Sequence, residues 1–459
     1  MRVDVAIIGA GVSGLAAGIR FAHFGRRVAI IEKHSLWGGL NSFYKRAGHR
    51  FDVGMHALTN WVRPGHRGAR LPLQRLSRQL RIPIEAWDLV PQKRSSVRFR
   101  DATLVFDNDV ERLEQSVAEA FPREKDGFLR LMRDCASFPD PMVDRPFVSA
   151  RRVLEEYVSD PLLRSMILCP MFFYGAAEDE DDMDWGQFVT LFHSIFLEGL
   201  CRPRQGMRPF LKTLVDRFVS DGGELLRRRE VTRLVVDQRR VTAIELSTGE
   251  TIEADHVLSS AGHRETLELC GLEPRIARPG RMSFLETIWV LNEGVRLDTY
   301  EDCVTFFSDG SDIRWSPADG DLNCGSGVLC CPNNYEGITE PTRVYLRATH
   351  LAHPRRWFEK DSETYQRDKA DSVERSLRAI EWITGPFDQH VEYVDAFTPK
   401  TVHHYTGHEN GAIYGSPDKR RGGDIGLENL RLIGTDQGMV GIVGAMLSGV
   451  SIANLHLAA

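Results

Sequence analysis

The stretch MRVDVAIIGAGVSGLAAGIR, residues 1–20, decides how the rest of the chain is read. Residues 3–8 form an apolar run that reads as a buried strand. It leads straight into Gly9, Gly11 and Gly14, with Gly18 one turn further on. Residues 12–24 then carry Leu15, Ala16, Ile19 and Phe24 at helical spacing, and Val28–Ile31 reads as a second buried strand ending on Glu32. Strand, glycine turn, helix and strand within about thirty residues is the dinucleotide-binding unit. Gly9 permits the tight bend, Gly11 lets backbone approach a diphosphate, and Gly14 and Gly18 let the helix lie close to the sheet. The diphosphate belongs on the helix N-terminus, where unpaired N–H groups and the macrodipole favour an anion. Glu32, 18 residues past Gly14, stands where an adenosine ribose would be held, and its charge disfavours a 2′-phosphate and hence NADP. FAD and NAD both remain open from this unit alone.

The chain has 459 residues, 42% of them hydrophobic and 27% charged, enough for more than one sizeable core. A net charge of −6 is too mild to imply a nucleic-acid partner. Eight cysteines (135, 169, 201, 270, 303, 324, 330 and 331) show no zinc-type CxxC pair, so reduced thiols and a cytoplasmic location are expected. No secretory signal is read at the N-terminus and no apolar stretch is long enough to span a membrane. Contact with the inner face of a membrane stays open to the chain. The stretch NWVRPGHRGARLPLQRL (60–76) mixes Trp61, leucines and arginines as either an interfacial segment or a solvated basic loop would. The acidic run EDEDDMD (178–184) lacks a supporting histidine and reads as a solvated loop, so no metal site is expected.

Along the chain the texture alternates. Residues 70–204 look helical, as in Val110–Phe121 and Asp126–Cys135, with breaks at Pro122, Pro139 and Pro141. Near 205 an α/β texture returns, with a helix over Pro209–Ser220 and strands at Glu224–Leu226, Val231–Val236 and Val241–Ser247. A strand-rich insertion holding a helix over 361–384 follows, and LRLIGTDQGMVGIVGAMLSGVSIANLHLA (430–458) closes the chain as strand, glycine turn and helix. The fold expected is α/β: a Rossmann-type nucleotide-binding domain visited at 1–75, 205–274 and 395–459. An inserted, discontinuous α+β substrate domain has a helical part at 76–204 and a sheet part at 275–394.

Three later blocks bear on the cofactor. HSLWGGLNSFYKRAGHRFDVGMHALTN (34–60) contains the doublet Gly38-Gly39, then Leu40-Asn41, then Phe51-Asp52-Val53-Gly54 ahead of Met55 and His56. RPRQGMRPFLKTLVDRFVSDGGELLRRREVTRLVV (202–236) has Gln205-Gly206 opening a helix and Val231 on the strand after it. LRLIGTDQGMVGIVGAMLSG (430–449) carries Gly434, Asp436, Gly441, Ile442 and Val443, with Thr435 between the glycine and the acid. In these blocks the chain resembles the flavoenzyme superfamily of amine oxidases and phytoene desaturases. The resemblance implies FAD. It places the doublet along the diphosphate, the FDVG segment beside the flavin, Val231 on the adenine, and the last helix N-terminus toward the flavin pyrimidine. The cofactor-binding set it implies is Gly9, Gly11, Ser13, Gly14, Glu32, Lys33, Gly38, Gly39, Leu40, Gly54, Met55, Val231, Gly434, Asp436, Gly441, Ile442 and Val443. Leu40 stands where many members have arginine, so a backbone contact is expected there. No second GxGxxG precedes a helix; GDLNCGSG (320–327) has none behind it.

VEYVDAFTPKTVHHYTGHENGAIYG (391–415), with Thr398-Pro399, His403, His404, Tyr405, Gly411, Tyr414 and Gly415, is similar to the branch of carotenoid desaturases, carotenoid isomerases and retinol saturases. That branch implies a hydrophobic isoprenoid or carotenoid-like small molecule and chemistry at carbon–carbon bonds. Desaturation ranks first, because the likeness to phytoene desaturases runs the length of the chain; saturation and isomerisation are the other modes. A flavin amine oxidase or a protoporphyrinogen-type oxidase is the alternative, and a flavin-binding protein without catalysis is a third class. CPMFFYG (169–175) and FVTLFHSIFLEGL (188–200) are apolar enough to line a tunnel or simply to fill a core, and His193 reads as structural. A histidine, with its ordinary pKa near neutrality, suits proton handling. His56 leads as the catalytic candidate because the FDVGM segment brings it to the ring, followed by His403 and His404.

Overall fold

The computed structural model describes residues 1–61, 71–138, 146–174, 182–310, 312–313, 320–339 and 341–458. The first strand, Arg2–Ile8, lies between Val28–Glu32 and Thr251–Ser259, all parallel, with Glu224–Arg227 added in parallel outside Val28–Glu32. Leu430–Leu432 pairs in parallel with Thr251–Ser259, while Arg240–Leu246 and Val231–Asp237 extend the sheet antiparallel. Val28–Glu32 is buried at every position, the mark of a strand covered on both faces. Helix Val12–Ala22 covers one face together with Met207–Ser220 and the C-terminal helix Gly441–Ala458.

The helices approach closely because glycine removes the side chain in the way. A Cβ on Gly18 would meet Ile30 Cδ1 at 2.7 Å, and one on Gly449 would meet the Ser13 carbonyl oxygen at 2.1 Å. The first helix ends at Ala22, earlier than expected, and Phe24 stays exposed with the Arg20 guanidinium 4.8 Å over its ring.

A second sheet runs in the order Val391–Phe397, Ser283–Leu291, Tyr345–Ala352, Leu322–Cys330, Val304–Ser308, Ser95–Phe99 and Thr103–Phe106. Its pairs are antiparallel except Val304–Ser308 with Ser95–Phe99. Helix Ser362–Thr384, capped by Asp361, packs Leu377, Ile380 and Ile383 on one face of it. The other face, with helices Val110–Ala120, Lys125–Ser137, Pro161–Tyr174 and Trp185–Phe192, encloses a separate apolar core. The architecture is α/β, a mixed Rossmann-like sheet carrying an inserted α+β region.

Two details differ from the sequence reading. The stretch expected to be helical contributes the strands Leu89–Pro91, paired with residues 200–203, Ser95–Phe99, paired with residues 304–308, and Thr103–Phe106, paired with Ser95–Phe99. The strand Val391–Phe397 also crosses the expected boundary after residue 394 and stays in the second sheet to Phe397.

Residues 322–327 of GDLNCGSG fall in the strand Leu322–Cys330. Of EDEDDMD, residues 178–181 lie outside the described residues. Asp182 accepts from Ser149 and from the Arg151 N–H at 3.1 Å, and Asp184 caps Trp185–Phe192. Most of the candidate interfacial stretch (62–70) also lies outside them. Among the described residues no helix is long and apolar enough to cross a membrane.

Candidate functional site

The glycine turn does what its residues allow. Gly9 takes φ +95° and its N–H donates to the Ile31 carbonyl at 2.8 Å, tying the turn to the second strand. A Cβ on Gly14 would lie 2.1 Å from the Gly9 carbonyl oxygen, so only glycine lets the helix start here. Gly11 is the cap of helix Val12–Ala22, with no side chain capping its free N–H groups, and a Cβ there would meet nothing within 4 Å. Gly39 (φ +56°) faces Gly11 across the same opening, and the Gly38 N–H donates to the Ala10 carbonyl at 2.8 Å. Glu32 is buried, and its carboxylate accepts from the Ala10 N–H at 2.8 Å and the His34 N–H at 2.9 Å. Those bonds fix the carboxylate at the end of its strand and leave lone pairs for sugar hydroxyls.

The end of the chain closes the same cradle. Gly434 (φ +91°) would bring a Cβ within 3.3 Å of Ser13 Oγ, and its N–H donates to Ser448 Oγ at 2.6 Å. Gly441, at φ +74°, opens the 18-residue terminal helix into space with nothing within 4 Å of a Cβ. Ile442 and Val443 behind it are buried. Two helix N-termini and backbone without side chains suit a long anionic dinucleotide.

Other members of the expected set contribute differently. The Leu40 carbonyl accepts from the Gly54 N–H at 2.9 Å, so it fastens the FDVG segment. Both oxygens of Asp436 are engaged by protein, Oδ2 by the His263 N–H at 2.5 Å and Oδ1 by the Ser416 N–H at 2.8 Å. Lys33 lies near Gly407, 3.6 Å from where its Cβ would be, and Val231 is buried at the start of its strand.

Met55 is fully buried, and around it stands a charge network that the sequence reading missed. Arg347 donates to the Val53 carbonyl, to the Met55 carbonyl at 3.0 Å and to Glu286, through Nε at 2.8 Å. Arg202 binds Asp52 at 2.5 Å and reaches the Met55 carbonyl at 3.4 Å. Glu286 and Thr349 are opposite one another on neighbouring strands, and Ile288 is opposite Arg347. The available signal was an acid and a base inside the apolar strands SFLETIWVL and YLRATHLA, where a buried charge requires a partner.

His56 Nε2 sits 2.8 Å from Thr349 Oγ1 and 3.6 Å from Glu286. Burial, with Arg347 and Arg202 nearby, pushes its pKa down to about 3, which differs from the near-neutral value expected of a proton carrier. The imidazole is therefore neutral at ordinary pH. Burial raises the Glu286 carboxyl, with Arg347 opposing.

Aromatic groups gather beside this network. Tyr335 Oη donates to the His56 carbonyl at 3.3 Å, and Tyr414 Oη to the Phe173 carbonyl at 3.1 Å. The Phe173 and Phe284 rings are 6.3 Å apart. The Tyr174 hydroxyl is buried with no partner among the described residues.

His403 and His404 lie elsewhere, on helix Pro399–Thr406. His403 Nδ1 is 2.8 Å from the His408 carbonyl oxygen, and its ring packs on Phe358. His404 packs on exposed Tyr405, whose carbonyl oxygen is 2.7 Å from His34 Nε2. Through Tyr405 and His34 the helix thus meets the end of the strand carrying Glu32 on the His404 side. His193 sits 3.3 Å from Glu198 at the end of its helix.

An uncapped helix N-terminus, a buried acid ending the second strand and a second helix opening on the same cradle define a dinucleotide-binding fold. The model for the flavin containing amine oxidoreductases matches residues 12–282, and the chain belongs to that family. Its cofactor is FAD, for which the open backbone at Gly11, Gly39 and Gly441 leaves room.

Among curated proteins, a chloroplastic prolycopene isomerase of Arabidopsis thaliana is 22% identical over 294 residues, covering 57% of this chain and 48% of that one. The match thus spans about half the length of the plant isomerase. An all-trans-retinol 13,14-reductase of Danio rerio is 22% identical over 539 residues, covering 100% of this chain and 87% of its own. Among solved structures, an oxidoreductase of Methanosarcina mazei superposes with a TM-score of 0.70 at 15% identity, covering 99% and 100% of the two chains. A putrescine oxidase bound to putrescine gives 0.64 at 16%, covering 100% of both.

Proposed function

We propose that this FAD-dependent oxidoreductase acts on a hydrophobic small molecule, adding or removing hydrogen across a carbon–carbon bond of an isoprenoid-like chain. The observation that carries the reading is the pairing of every charge beside His56. Glu286 is held by Arg347 and Asp52 by Arg202, so neither carboxylate is free to hold a substrate ammonium. The adjoining wall is aromatic, with Phe173, Tyr174, Phe284, Tyr335 and Tyr414, and an apolar substrate gains affinity there by burial. The names of the isomerase and retinol-reductase relatives support the same class.

Bound flavin supplies two-electron redox chemistry. The chain's own residues bind, orient and exclude water. Arg347 and Arg202 clamp the carbonyls of Val53 and Met55 and so fix the segment that faces the cofactor. Neutral His56, bonded to Thr349, presents a hydrogen-bonding edge without a charge, which keeps the site receptive to an apolar carbon. His403 and His404 are proposed to shape the cofactor edge near His34 rather than to move a substrate proton.

A second reading is oxidation of an amine or of a porphyrinogen-type ring. The description of the matching family and the likeness to putrescine oxidase support it more directly than they support desaturation. An anaerobic titration with the flavin absorbance as readout separates the two. Where the reaction removes hydrogen, bleaching by an isoprenoid alkene or alcohol, with alkyl amines inert, is expected. Bleaching by amines, with peroxide formed on admitting air, would replace the first reading by the second. A parallel arm with NADPH and NADH distinguishes a saturase or reductively activated isomerase, which nicotinamide reduces, from a desaturase reduced by its own substrate.

A further inference from the structure

The hairpin of Phe43–Arg46 and His49–Asp52 and the start of helix Met207–Ser220 enclose a groove of about 780 Å³, within the range of small-molecule sites. Its lining includes Phe43, Arg50, Asp52, Arg204, Arg208 and Arg343, so one sign of charge dominates. Most of the guanidinium groups have carboxylates: Arg204 meets Asp88 at 3.2 Å, Arg343 meets Glu392 at 2.6 Å, and Arg202 holds Asp52. Asp52, the carboxylate of the lining itself, also accepts from the Met207 N–H at 2.9 Å, so both of its oxygens have protein partners. Arg50 and Arg208 have no carboxylate partner among the described residues. The Arg208 guanidinium is held 3.9 Å over the Phe43 ring, which fixes it at the groove wall.

The hairpin shows where the imbalance lies. Lys45 and Arg50 are directly opposite one another across its two strands, as are Phe43 and Asp52. The two-residue period puts all four on one face. Like charges directly opposite destabilise a strand pair, and Asp52, the carboxylate on that face, is held by Arg202 instead. On the other face the basic groups are matched, Arg46 by Asp395 at 3.1 Å and His49 by Glu392 at 3.8 Å. Residues of both faces line the groove, with Phe43, Arg50 and Asp52 from the cationic one, while exposed Lys45 stands on that face just outside the lining.

We propose that this groove binds a phosphate-bearing ligand, a diphosphate above all, through Arg50, Arg208 and Lys45. Guanidinium forks match phosphate oxygens, and the volume leaves room for an organic remainder. The groove also includes Arg202 and Arg347, which grip the Met55 carbonyl, so its inner wall adjoins the flavin-facing segment. The diphosphate belongs either to a prenyl substrate or to a nicotinamide dinucleotide.

The test is calorimetric titration of the full-length, FAD-loaded protein with inorganic pyrophosphate at low ionic strength. Binding that weakens as salt is raised is expected. Arg50→Gln combined with Arg208→Gln should raise Kd by more than about tenfold. Lys45→Gln, a change at an exposed hairpin position, should raise it severalfold and serves where the double variant fails to fold. Geranylgeranyl diphosphate displacing pyrophosphate, with geranylgeraniol unable to, assigns the group to a substrate; displacement by NADPH assigns it to a reductant. No binding up to millimolar pyrophosphate, an unchanged Kd in Lys45→Gln, or displacement by the alcohol as readily as by its diphosphate would overturn the proposal. The readout is binding rather than turnover, so it stands or falls apart from the reaction proposed above.

Discussion

His56 is neutral in the folded protein, and that state has a pH signature. Its pKa is pushed down to about 3, and buried His350, hydrogen-bonded to Ser326 and Ser376, is pushed down to about 4. In the unfolded chain both titrate near about 6.5. Between those values the unfolded state binds more protons than the folded one, so stability is full above about pH 6.5 and falls as pH drops toward 4. The melting temperature should follow that course, and His56→Gln, which keeps a partner for Thr349, should flatten it. An unchanged slope would mean that His56 is protonated in the fold.

Arg347 gives a second prediction at this scale. Replacing it with methionine leaves Glu286 buried without its partner and frees the Val53 and Met55 carbonyls. A loss of about 3–5 kcal/mol in denaturant unfolding is expected. The sequence pointed to His56 through the FDVGM segment but gave no sign of its depressed pKa. That state arises from Arg202 and Arg347, which are 146 and 291 residues away in the chain.

The glycine turn separates two kinds of glycine. At Gly14 a Cβ would strike the Gly9 carbonyl oxygen at 2.1 Å, so Gly14→Ala must shift the helix against the sheet. At Gly11 a Cβ meets open space and the backbone is extended, at φ −67° and ψ 172°. Gly11→Ala should leave the apoprotein's melting temperature within about a degree or two of wild type, because it disturbs no packing. It should nonetheless lower FAD affinity by more than about tenfold, because the methyl takes the space the cofactor needs. Retained flavin absorbance after gel filtration and the melting curves of the apoproteins check both. Gly14→Ala should lose on both counts. Equal behaviour of the two variants would remove Gly11 from the cofactor's path. These elements were legible because each is local: strand, turn, helix and strand follow one another without a long excursion.

The second sheet was less legible, because it assembles only in three dimensions. Ser95–Phe99 and Thr103–Phe106 are short and bordered by arginines, and they sit within a helix-rich stretch. What makes Ser95–Phe99 a strand is parallel pairing with Val304–Ser308, some two hundred residues on, where Thr305 is opposite Ser96, and Thr103–Phe106 then adds antiparallel to its outer edge. Burying Trp289, Leu291, Leu377 and Ile380 between that sheet and helix Ser362–Thr384 then fixes the insertion as one body.

By itself the sequence determined the nucleotide-binding unit, the acid that ends its second strand, the return of the chain to that sheet and the terminal helix that closes it. Each of these rests on a short pattern of glycines and apolar residues whose geometry neighbouring residues impose. Tertiary structure alone decided the charge network around Met55, the engagement of both Asp436 oxygens by protein, and the meeting of helix Pro399–Thr406 with His34 through Tyr405. Those depend on which distant backbone and side-chain groups meet, and a buried charge or hydrogen bond takes its character from its partners rather than from its place in the chain.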